Sequence, residues 1–158
     1  MAKKIGLPVL GELAKRKPSI DAARARLGGR TKDEGRPRST PGTIVRTEEA
    51  GIGVVVYASA RETHVLFDGS RLRRLAPSEV EAHEGEPPAE LARVAADARV
   101  FFLLVEGQAV RYADDAGALR DGKLVEKCRY GALVLRDDGG IIAVGFRKLW
   151  PVGATGDA

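Results

Sequence analysis

The chain is poor in the residue types that usually carry chemistry. It has one cysteine, Cys128, and two histidines, His64 and His83. A single thiol cannot close an internal disulfide or build a cysteine zinc site, so a reducing, cytoplasmic setting is expected. His64 falls in an alternating strand and His83 in a linker, with no spacing that suggests a shared metal. No stretch approaches the roughly 18 apolar residues of a membrane span. The start, Met1-Ala2-Lys3-Lys4, has no apolar run of signal-peptide length, so no membrane partner is expected. The glycines match no phosphate loop of the Gly-x-x-x-x-Gly-Lys-Ser/Thr type.

Catalysis finds no constellation either. Asp68, Asp137 and Asp138 sit in turns, where aspartate is favoured for backbone reasons. Glu48-Glu49 and Asp114-Asp115 adjoin glycine turns and read as solvated loops. Arg129 follows Cys128, yet no histidine in the same region could serve as its base. The expectation is a non-enzyme without a cofactor.

What is present is charge, unevenly spread. The net charge is +4 over 158 residues, but residues 1–40 carry eleven Lys and Arg against four Asp and Glu, or +7. The remainder is therefore −3. Residues 1–40 are also rich in Gly and Pro and poor in large apolar groups, which predicts a basic, mostly disordered arm. One exception is a short helix over Ser19–Leu27, with Ser19 as N-cap and Gly28 as its end. Such an arm suits an anionic partner.

Beyond the arm, one pattern occurs twice. Gly42-Thr43-Ile44-Val45-Arg46 precedes Glu48-Glu49-Ala50-Gly51, and Gly107-Gln108-Ala109-Val110-Arg111 precedes Asp114-Asp115-Ala116-Gly117. A glycine-led apolar run follows in each copy, from Gly53 and from Gly122. Next comes a turn, Val65-Leu66-Phe67-Asp68-Gly69 or Val134-Leu135-Arg136-Asp137-Asp138-Gly139. Each copy closes on a cationic Leu-x-Pro, Arg73-Arg74-Leu75-Ala76-Pro77 and Arg147-Lys148-Leu149-Trp150-Pro151. Short β-rich runs broken by Gly-rich turns predict a small curled barrel, since a lone sheet of that size would have exposed edges and little core. Between them, Leu91, Val94, Ala95, Ala98, Phe101, Phe102 and Val105 recur at helical spacing over Ala89–Val105. The cluster from Phe101 to Val105 reads equally as a strand leading into the second copy.

A unit that begins Gly-x-x-Val, passes through a glycine-led strand and an Asp-Gly hairpin and ends Leu-x-Pro resembles the Tudor, agenet and KOW group of SH3-like barrels. The resemblance covers about Pro41–Val80 and Gly107–Pro151. It implies a mainly β chain with two small SH3-like barrels joined by one helix that packs between them, behind a disordered basic arm. The expected segments are 1–40 arm, 41–82 first barrel, 83–106 linker and helix, 107–152 second barrel and 153–158 frayed tail. It also implies a binding module. Tudor-like relatives can hold methylated side chains in an aromatic cage, and Tyr112, Tyr130, Phe146 and Trp150 are the candidates here, with core packing the expected role of Phe146 and Trp150.

The residues favour nucleic acid or a nucleoprotein complex, such as the ribosome or transcription machinery, as partner. Arg71, Arg73 and Arg74 in the first copy and Arg129, Arg147 and Lys148 in the second would meet phosphates. Tyr130 would stack on a base, and Lys15, Arg16 and Lys17 of the arm would add sequence-independent affinity. The alternative is a protein-interaction module that recognises a peptide or a partner strand without nucleic acid.

Overall fold

The computed structural model describes residues 17–31, 39–68 and 70–153. Lys15, Arg16, Gly69, the rest of 1–16, 32–38 and the tail after Gly153 lie outside them, as does the side chain of Lys17. The chain is mainly β, with two five-stranded antiparallel sheets and two α-helices among the described residues. It divides into two compact units, one from residues 39–103 and one from residues 17–31 with 104–153.

The first unit holds β1 (Ile44–Thr47), β2 (Gly51–Ala58), β3 (Thr63–Phe67), β4 (Arg71–Leu75), a 3-10 turn (Pro77–Glu79), β5 (Glu81–Ala82) and α2 (Ala89–Leu103). Its strands lie in the order β4-β3-β2-β1-β5. Residues Gly53 to Tyr57 of β2 are all buried, so both faces of that strand are covered. Val55 joins Val45, Val65 and Phe67 in a core on one face. Alternation turns Val54 to the other face, and α2 packs against β2 and β1. Burial of each such valine stabilises the unit by about 1.5–3 kcal/mol.

The helix α2 follows the predicted stripe at Leu91, Val94, Ala95, Ala98 and Phe101, which are buried, and departs from it at Phe102 and Val105. The open question over Phe101 resolves as helix, which runs to Leu103. Phe102, Leu103 and Val105 are exposed. The helix expected to pack between the two copies is part of the first unit. Arg99 ties it there by donating to the Gly42 carbonyl at 2.8 Å.

The second unit holds α1 (Lys17–Arg26), β6 (Ala109–Ala113), β7 (Leu119–Lys127), β8 (Gly131–Arg136), β9 (Ile141–Gly145), a 3-10 turn (Phe146–Lys148) and β10 (Leu149–Pro151). The order is β10-β6-β7-β8-β9, the same topology as the first sheet. The register repeats too. Val55 faces Val65 and Leu124 faces Val134, a shift of 69 positions for both partners. Each sheet carries a bulge at the equivalent place, leaving Val56 and Val125 as the extra residue. The leading glycines serve the same purpose. A Cβ on Gly53 would lie 2.5 Å from Val65 Cγ1, and one on Gly122 would lie 2.7 Å from the Leu135 carbonyl.

That register corrects the matched closing motifs. Arg73, Arg74 and Leu75 belong to β4, whereas Arg147 and Lys148 belong to the second 3-10 turn. The positions equivalent to Arg147 and Lys148 are Ser78 and Glu79 in the first 3-10 turn. Strand pairing fixes register over the whole sheet, and a shared Leu-x-Pro cannot override it. Leu149 is fully buried.

The arm is corrected in part. Lys17–Arg26 is helical, beginning two residues before the expected Ser19 cap. It ends through Gly28 and Gly29, both at positive φ, as predicted. This helix is docked: Ile20 and Leu27 share a core with Cys128 and Leu133, and α1 packs on β9 and β8. Arg24 donates to both Glu126 carboxylate oxygens, at 2.6 and 3.0 Å, and Arg30 bridges to Cys128. Two apolar side chains on a short polar helix suffice because the sheet supplies the rest of the core.

Candidate nucleic-acid interface

The predicted cations fall into three groups. Arg71, Arg73 and Arg74 stand exposed on β4, an outer strand of the first sheet. Arg71 lies over the Phe67 ring at 5.8 Å and donates to the Asp68 carbonyl at 3.2 Å. Arg73 reaches Glu49 at 3.9 Å, and Arg74 pairs across from His64. Alternation puts Arg71 and Arg73 on one face and Arg74 on the other, so the three do not form a single patch.

Arg129 and Tyr130 serve the docking of α1. The Arg129 guanidinium donates to the Gly28 carbonyl at 3.3 Å, and its backbone N–H to the Gly29 carbonyl at 3.1 Å. A cation at a helix C-terminus is favoured by the helix dipole. The Tyr130 N–H donates to the Leu27 carbonyl, and its ring presses on Gly28 so closely that a Cβ there would lie 2.4 Å from Cε2. Gly28 therefore lies against this ring. Lys127 is likewise turned inward: its Nζ donates to the Leu104 carbonyl at 2.9 Å, and burial pulls its pKa down.

Arg147 and Lys148 belong to the third group, and here the fold adds a residue that sequence reasoning passed over. Both line an open cleft of about 900 Å³ in the second unit, together with Arg26 and Ser19 of α1. Its floor includes Ile142 and Val144 of β9. Two further arginines at this cleft are held by acids: Arg120 donates to Asp114 at 2.7 Å, and Arg136 lies 3.1 Å from Asp138. The Arg120 hydrogen bond lowers the Asp114 pKa, and the Gly140 N–H lowers that of Asp138. Arg26 and Lys148 are exposed and make no ion pair among the described residues. Arg26 carried a signal only as one of many arm cations. Its meeting with the 3-10 turn depends on how α1 docks.

The aromatic cage is not assembled. Tyr112 and Phe146 are buried at 1% and 7% exposure, which makes them core. Trp150 is half-buried on β10. His64 is fully buried, 2.8 Å from Glu62 and edge-on to Tyr57 at 4.9 Å. Burial pushes the Cys128 thiol up to about 11. Among the described residues no three His, Cys, Asp or Glu side chains gather as metal ligands, and no helix is long and apolar enough to cross a membrane. No model of a known protein family matches the chain, and comparison with curated proteins finds no match.

Proposed function

We propose that this chain is a non-catalytic adaptor that binds nucleic acid or a nucleoprotein complex through its basic N-terminal segment and the second of two SH3-like units. The single observation that carries the reading is the cleft where Arg26, from the basic segment, meets Arg147 and Lys148. Cations from two distant stretches converge on one surface, as phosphate neutralisation requires. The charge division supports it. Over 1–31 with 104–158 there are sixteen Lys and Arg against ten Asp and Glu, whereas over 32–103 there are ten against twelve.

The SH3-like reading rests on topology. Each sheet joins its fifth strand to its first, giving the order 5-1-2-3-4, with a 3-10 turn before the last strand. That connectivity is what an SH3-like barrel requires. The Tudor, agenet or KOW resemblance belongs to the same proposal and rests on the turn and strand-start pattern.

The test is binding of a labelled oligouridylate and a labelled DNA duplex by the full chain across a salt series. Affinity should fall steeply with salt, by roughly 0.7–0.9 in log–log slope for each phosphate neutralised. Binding that is absent, or that ignores salt, would sink the reading and favour a protein partner.

A further inference from the structure

The two units present the same cleft. In the first unit a pocket of about 540 Å³ is lined by Glu48 and Glu49 of the β1–β2 turn, Arg73 and Leu75 of β4, and Ser78 and Glu79 of the 3-10 turn. Carried across by the shared register, Arg73, Leu75, Ser78 and Glu79 become Ile142, Val144, Arg147 and Lys148, and the turn with Glu48 and Glu49 becomes the one with Asp114 and Asp115. All six line the cleft of the second unit. Duplication has thus preserved a concave site at one place in the fold, while its side chains have diverged in charge.

We infer that anion binding is confined to the second copy of this cleft, and that the side chains of its 3-10 turn set the sign. The inference rests on the nucleic-acid reading above. In the first copy Glu49 lies near Arg73 at 3.9 Å, and the pocket keeps Glu48, Glu79 and Glu81 besides. A phosphate there would meet three carboxylates. In the second copy four acids line the cleft: Arg120 engages Asp114 and Arg136 engages Asp138, so that Asp115 and Asp137 stand against Arg26, Arg147 and Lys148. Arg147 and Lys148 replace Ser78 and Glu79, and α1 adds Arg26 from its own side. Among the described residues the first unit has no counterpart of Arg26, because α2 packs on β2 and β1, away from β4 and the 3-10 turn. Glu79 also has a backbone task, since it accepts from the Ala76 N–H at 2.7 Å. That hydrogen bond is closed to a lysine.

The experiment exchanges residues between the copies in the full chain. Arg147→Ser with Lys148→Glu gives the second cleft the residues of the first. It should weaken oligouridylate binding at least tenfold and flatten the salt slope by roughly 0.7, the share of the one single-strand phosphate that Lys148 would neutralise. Arg26→Glu, on the exposed side of α1, should weaken binding without touching the 3-10 turn. Circular dichroism of each variant identifies any that fail to fold, and Arg26→Glu alone then decides the matter. If the wild type binds oligouridylate with steep salt dependence but Arg26→Glu and the exchange leave affinity and slope unchanged, this inference is overturned and the broader reading stands. If the wild type does not bind, the broader reading falls first.

Discussion

The two units share strand order, register, bulge and 3-10 turn, yet each is covered by a helix in its own way. In the first, α2 follows the sheet and packs on β2 and β1. In the second, α1 precedes the sheet and packs on β9 and β8, the counterparts of β4 and β3. The outer strands differ accordingly. Uncovered β4 reads Arg-Leu-Arg-Arg-Leu and is almost wholly exposed, whereas β9 under α1 reads Ile-Ile-Ala-Val-Gly. Charged residues on an open outer strand discourage pairing with another chain. Part of the arginine signal in the first copy is therefore explained by its edge, and the lesson is that a cluster of cations gains meaning only from what lies beside it.

The comparison can be broken most forcefully at the paired glycines. Gly53→Val and Gly122→Val should each destabilise by about 3 kcal/mol, because the new side chain meets a neighbouring strand. Urea denaturation of both variants measures it. A large loss in one copy and none in the other would end the claim that both sheets obey one packing rule.

The arginines that fasten the helices come next. Arg24→Ala should cost about 2 kcal/mol, since it leaves the mostly buried Glu126 carboxylate with only the longer 3.6 Å contact to Arg30. Arg99→Ala removes only a bond to a carbonyl and should cost about 1 kcal/mol. Equal losses in thermal unfolding would show that the ion pair adds no more to the docking of α1 than one carbonyl hydrogen bond does for α2.

A third test concerns Cys128, under α1. With its thiol pushed up to about 11 from 9.0, the folded state holds its proton while the unfolded state ionises. The sign follows from proton binding: stability falls as pH climbs from about 9 to about 11 and is unaffected well below 9. Native protein at neutral pH should resist a thiol reagent that labels it promptly in denaturant. Gly28→Ala, which crowds Tyr130, should speed labelling by loosening α1. Rapid labelling of the wild type would contradict a docked helix.

The smallest expected effect lies in the β3–β4 and β8–β9 hairpins. Ser70 occupies a left-handed conformation, φ 64°, at the position where the second copy has Gly139, φ 90°. Ser70→Gly should stabilise by about 0.5 kcal/mol and Gly139→Ser should destabilise by a similar amount. Thermal midpoints that shift in the same direction would show that the turns are not equivalent.

Much of this was legible in the residues. The β character, the doubling and the buried stripe of α2 follow from alternation, turn glycines and helical spacing, which are local properties. The charge imbalance between the ends of the chain is likewise a matter of composition. Register between the copies was not legible, because Leu-x-Pro occurs at the end of β4 in one and in β10 in the other. The contacts of Arg129 and Tyr130 with Gly28 and Gly29 were not legible either, because those glycines lie about a hundred residues earlier.

By itself, then, the sequence determined that this protein is a mainly β chain built from one unit written twice, with cations concentrated at its N-terminal end. Tertiary structure alone decided which cations meet. Strand pairing aligned Arg147 and Lys148 with Ser78 and Glu79, and the burial of Ile20 and Leu27 brought Arg26 to the same cleft. Both events join residues far apart in the chain, and such contacts are selected by the shape and burial of the whole core, which no local pattern encodes.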